Sequence, residues 1–117
     1  MSDVEIILNL RDAWKYLLNN IDKPFNLDFI CKINSYVSRN ESLEWGVLRN
    51  GSVSISGVDY IPPVPQKENV VDNINKILSI KNVTERAIRY FLWGMRSQLF
   101  WDGNKRTSTL AANKILI

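Results

Sequence analysis

Histidine is absent from this chain of 117 residues, and cysteine occurs once. Without an imidazole, the side chain that most often serves as general base near neutral pH is missing. The lone Cys31 excludes an internal disulfide and any cysteine-based zinc site. It falls in an apolar helical pattern and reads as a buried structural thiol. No apolar run approaches the ~18–20 residues of a membrane span, and Met1-Ser2-Asp3-Val4-Glu5 lacks the basic start of a signal peptide. These absences together predict a protein of the reducing cytoplasm without a membrane partner. There is no lysine–arginine tract and no aromatic–basic alternation, so the net charge of +3 does not argue for a nucleic-acid surface. No internal repeat, low-complexity tract or linker appears. At this length the chain is read as one domain, residues 1–117, around a single hydrophobic core.

What is present is an ordinary globular composition, 45% hydrophobic and 23% charged, with mostly helical periodicity. Ile7, Leu10, Trp14, Leu17 and Leu18 predict an amphipathic helix from Val4 to about Asn20 with Trp14 in the core. Asn19 to Pro24 is turn-rich, and Pro24 ends that helix. Asn26 is a good N-cap for a second helix through Phe29, Ile30, Ile33 and Val37. Residues 38–49 lose periodicity. Val53 and Ile55 then alternate with serines, Ser56-Gly57 signals a tight turn, and Val58 and Tyr60 resume the extended pattern before Pro62-Pro63. This predicts a short β-hairpin, an element that is marginal in water unless it lies against something. A third helix opens at Pro65-Gln66-Lys67-Glu68 and carries Val70, Val71, Ile74, Ile77 and Leu78. Asn82 and Glu85 resemble a capping box for a fourth, roughly Val83 to Gln98. Ala87, Phe91, Met95 and Leu99, broadened by Tyr90 and Trp93, predict that this one is the buried central helix. A last helix would bury Leu110, Ala111, Ile115 and Leu116.

The stretch from Ser97 to Thr109 lies between the last two helices and carries the chemistry. An Asp-Gly-Asn-Lys-Arg turn places several backbone N–H groups, and the positive end of a helix dipole, at one point. Lys105 and Arg106 add full charges there, Arg106 with a planar fork suited to phosphate. Asp102 is the residue type that holds a magnesium ion bridging to phosphate oxygens. Local chemistry alone leaves two readings open, a site for a magnesium-bound polyphosphate or a plain turn with solvated cations.

The same stretch resembles the Fic/Doc family signature, His-x-Phe-x-(Asp/Glu)-Gly-Asn-(Gly/Lys)-Arg. Phe100, Asp102, Gly103, Asn104, Lys105 and Arg106 match it in order and spacing, and Gln98 stands at the histidine position. The resemblance implies a mainly α, Fic-like helical domain that binds ATP with Mg2+ and transfers AMP, or in Doc-like members phosphate, to a protein hydroxyl. By resemblance Asp102 would ligate the magnesium, Gly103, Asn104 and Lys105 would cradle phosphates, and Arg106 would hold the β/γ oxygens. Phe100 would anchor the loop in the core. The family histidine takes the proton from the attacking hydroxyl; a glutamine amide can only orient through hydrogen bonds. Loss of a general base typically forfeits ~10²–10⁴-fold in rate, so transfer is expected to be impaired while nucleotide binding survives. A non-catalytic protein-binding module and a toxin–antitoxin remnant are the alternatives.

A second resemblance lies upstream. Gly46-Val47-Leu48-Arg49, followed by Ile55-Ser56-Gly57-Val58-Asp59-Tyr60-Ile61-Pro62-Pro63, resembles the flap before the Fic core. That flap holds a protein target as an added strand, here along Val53, Ile55, Gly57 and Tyr60. The inhibitory Ser/Thr-x-x-x-Glu-Gly/Asn motif of some members has no convincing copy, and Thr109 stands where the arginine it meets would be. The resemblance covers most of the family core but lacks its C-terminal part. The apolar Ile115-Leu116-Ile117 is expected to need a cover, either further helices or another subunit in a homo-oligomer.

Overall fold

A computed structural model describes residues 2–117. Five helices follow in order: α1 (Asp3–Asn19), α2 (Leu27–Val37), α3 (Lys67–Leu78), α4 (Val83–Ser97) and α5 (Asn104–Leu116). Three begin as their caps dictate. Ser2 and Glu5 exchange side-chain and backbone bonds in a capping box at α1. Asn26 and Asn82 accept from Phe29 N and Glu85 N, each at 2.9 Å.

Helices α2 and α5 lie between α1 on one side and α3 with α4 on the other. One set of core residues (Ile30, Ile74, Tyr90, Phe100, Ala111 among them) fills the α3–α4 side. A second (Ala13, Leu17, Phe29, Ile33, Leu110) fills the α1 side. Helix α5 serves both and packs on α1, α2 and α4, so it is the central helix. The expectation of a buried central α4 is corrected accordingly. Its hydrophobic stripe is real, but Ile88 and Leu92 are exposed, whereas the plainer α5 buries Thr107, Ser108, Leu110 and Ala111. Small residues permit this close approach. A β-carbon on Gly94 would lie 2.4 Å from Ser108 Oγ.

Three further expectations change. Trp14 is 37% exposed, and Ile7 and Leu18 are exposed too, because α1 turns Asn9, Ala13 and Leu17 inward instead. Asn9 earns that position by bonding Arg39, whose guanidinium donates to Asn9 Oδ1 at 2.7 Å while Asn9 Nδ2 donates to the Arg39 carbonyl at 2.9 Å. The hairpin is not formed: no strand occurs among the described residues. Residues 52–61 run as an extended strap whose turn is closed by Val58 N donating to the Ile55 carbonyl at 3.1 Å. The arms do not pair into a ladder. Two isolated strands gain little from pairing in water, Pro62 and Pro63 offer no N–H, and a buried arginine takes carbonyls at both ends of the strap. Leu116 is exposed as well, leaving Ile115 as the last core residue of α5.

Candidate functional site

Three side chains brace the loop joining α4 to α5. Asn104 accepts from Phe100 N at 2.9 Å and donates to the Phe100 carbonyl at 2.8 Å, closing the loop on itself. Phe100 and Leu99 are driven into the core at 2% exposure each. On the other side Asn34, fully buried in α2, donates to the Asp102 carbonyl at 3.1 Å and accepts from Gly46 N at 2.8 Å. Ser38 adds a bond to the same Asp102 carbonyl at 3.0 Å. Gly103 follows at φ 68°, in the left-handed region, and a β-carbon there would lie 2.1 Å from Ser38 Oγ. Only glycine satisfies both constraints.

The result is a cavity of about 350 Å³ lined by Gln98, Trp101, Asp102, Gly103, Asn104, Lys105 and Arg106, with Val53 and Ser54 of the strap on its rim. Six of the signature-derived site residues and one of the flap residues therefore meet at one place. Ile55 and Gly57 do not line it, and Gly57 faces open space. Tyr60 lines a separate cavity of about 230 Å³ with Pro63, Trp93 and Leu99.

Gln98 caps α4 with a left-handed backbone, φ 47°, rare for a residue with a β-carbon. Its side-chain amide donates to the Met95 carbonyl at 2.6 Å and its Oε1 accepts from Asn104 Nδ2 at 3.2 Å. The side chain is thus held at both ends. Asp102 Oδ1 accepts from Gly103 N at 2.8 Å, leaving Oδ2 unpaired. No group of three or more histidine, cysteine or acidic side chains that could hold a metal occurs among the described residues. One free carboxylate oxygen suits magnesium only when phosphate oxygens and water complete its shell. By itself this donor set does not make a metal site.

The head of α5 has no side-chain cap, so its first N–H groups are left to a ligand or solvent. Lys105 is exposed and unpaired. Arg106 is already engaged: its Nη2 donates to Glu41 Oε1 at 2.5 Å, while Arg106 Nη1 and Glu41 Oε2 are buried without partners. A glutamate therefore does meet an arginine of the loop, though neither lies where the inhibitory motif would put them. Asn34, Glu41 and Arg49 were missed as site residues by sequence reasoning. Arg49 alone carried a signal, as the last residue of the Gly-x-x-Arg stretch.

Five helices packed around α5, with the strap at the rim of the cavity beside the α4–α5 loop, define a Fic-like domain. The Fic/DOC family model matches residues 24–116, and the chain belongs to that family. In structure it is similar to Fic-1 (residues 134–508) from C. elegans, with a TM-score of 0.71 and 24% identity over 96% of this chain. The chain spans 36% of that protein's resolved length. No curated protein matches it in sequence.

Proposed function

We propose that this chain is a nucleotide-binding Fic-type protein that holds the polyphosphate of magnesium–ATP at the head of α5. Its transfer of AMP or phosphate to a protein hydroxyl is weak or lost. One observation carries the reading: Gln98, the unpaired Asp102 Oδ2 and the uncapped head of α5 with Lys105 belong to one cavity beside the strap. Asp102 would hold the magnesium, the Gly103–Lys105 backbone and Lys105 the phosphates, and Arg106 the terminal oxygens once Glu41 yields. The strap would hold the target's backbone through its unladdered N–H and C=O groups.

When the target oxygen bonds to phosphorus, pyrophosphate would leave in AMP transfer or ADP in phosphoryl transfer, and the hydroxyl proton must go elsewhere. Gln98 stands where the family has a histidine, yet an amide has no basic lone pair to receive it at neutral pH. Both ends of that amide are also occupied. The chain then binds and orients without general-base help, at a cost of ~10²–10⁴-fold in rate.

Calorimetric titration with magnesium–ATP tests the binding half. Wild type should bind and Arg106→Ala should not; no heat from wild type would sink the reading. Transfer to protein, followed with labelled ATP, tests the other half. Gln98→His should raise it by ~10²-fold or more, and an active wild type that the substitution leaves unchanged would refute the lost-base account. The Glu41–Arg106 pair favours a second reading, a protein-binding module without nucleotide. In that case Arg106→Ala leaves partner binding intact.

A further inference from the structure

Arg49 is 1% exposed, yet no carboxylate pairs with it among the described residues. Its guanidinium is held by backbone carbonyls alone. Nε donates to Gln98, and Nη1 to Gly51 at 2.7 Å. Nη2 donates to Pro63 at 2.9 Å, with longer contacts to Ser97 at 3.3 Å and Pro62 at 3.4 Å. Its own backbone N–H donates to the Leu99 carbonyl at 3.0 Å. These partners come from both ends of the strap and from the end of α4. None belongs to a helix ladder that continues past it.

We infer that Arg49 is a positioning residue that locks the two ends of the strap and the left-handed backbone of Gln98 into a single unit. The inference rests on the proposed function only in treating Gln98 and the strap as parts of one site. The geometry needs arginine: a planar fork with five donors can face several carbonyls at once, whereas an ammonium is a compact point with three. The αL backbone of Gln98 is disfavoured by itself and persists only where its surroundings over-determine it. Here the Gln98 carbonyl is fixed from Arg49 and its side chain from Met95 and Asn104. Burial also depresses the guanidinium's pKa below its usual value, consistent with a charge that has no counter-ion. Arg49 does not line the cavity and reaches it only through the Gln98 carbonyl.

The test follows 19F NMR of protein labelled with 5-fluorotryptophan, comparing wild type with Arg49→Lys. Trp101 is the reporter, because its ring lies against Gly51; a β-carbon there would sit 2.6 Å from its Cη2. Trp14 on α1 is the control. The Trp101 resonance should shift and broaden while Trp14 stays put. Hydrogen exchange around residues 97–99 should rise by at least about tenfold, the worth of one charge-assisted hydrogen bond, with α2 unaffected. A folded variant with an unmoved Trp101 line would overturn the inference. Should Arg49→Lys not fold, the wild type decides: the Arg49 Nε–H should be a separately resolved, slowly exchanging resonance. Exchange as fast as that of the exposed Arg11 would refute the lock. Magnesium–ATP titration of wild type stands apart from both readouts, so loss of the nucleotide reading and loss of this one are told apart.

Discussion

At the scale of single residues, the proposed anion site turns on Arg106, which Glu41 already engages. Its guanidinium can make two parallel bonds to a carboxylate but makes one to Glu41, with a nitrogen and an oxygen left buried and unpaired. Such a pair is incompletely satisfied, and an incoming phosphate with three acceptor oxygens can satisfy it better. Glu41→Gln keeps the shape and removes the competing charge. It should tighten magnesium–ATP or pyrophosphate binding by up to roughly fivefold, the upper range for a partly exposed ion pair, as read by fluorescence titration. Weaker binding would mean that Glu41 orients Arg106 for the ligand. The signature made Arg106 visible in the sequence. Glu41 was not, because it lies 65 residues away in an aperiodic loop and reaches Arg106 only through packing.

Among the elements, the contact between α4 and α5 sets the loop that carries the site. Gly94 lets the helices approach until Ser108 fills the place of a side chain. Gly94→Ala should therefore destabilise the fold by about 1–3 kcal/mol, the usual cost of overpacking. Ser108→Gly in the same chain should return part of that loss, a coupling that urea unfolding of the double-mutant cycle measures. The strap behaves differently. Its turn residues were legible, and Gly57 has the positive φ of a tight turn, but turn chemistry does not supply ladder energy. With α5 as the hub, hydrophobic stripes also misled. Exposed Ile88 and Leu92 strengthen the apparent periodicity of α4, while serine, threonine and alanine at the true centre dilute it.

For the molecule as a whole, pH dependence follows from groups on both sides of neutrality. Burial pushes the Cys31 thiol up to about 11 from 9.0, and burial also raises the Tyr90 phenol above its usual 10.0. The unfolded chain releases these protons first, so stability is complete below pH 9.0 and falls as pH rises from there through about 11. On the acid side, the hydrogen bond from Arg39 holds Asp12 below 3.8. That contribution is present above 3.8 and disappears as pH falls below it. Urea midpoints should accordingly form a plateau between these limits. Cys31→Ser should flatten the alkaline descent, and an unchanged descent would exclude the thiol as its source.

The sequence by itself determined the helical segments, two of their caps and the signature of the α4–α5 loop. Those features depend on local periodicity, on side chains bonding backbone three residues away, and on a contiguous signature. The tertiary structure decided which helix is central, which face of α1 is buried, and that the strap stays unpaired. It also decided that Asn34 and Arg49 hold the site from behind and that Glu41 occupies Arg106. Each of these depends on residues far apart in the chain competing for the same space or the same hydrogen bond, and no local pattern encodes the winner.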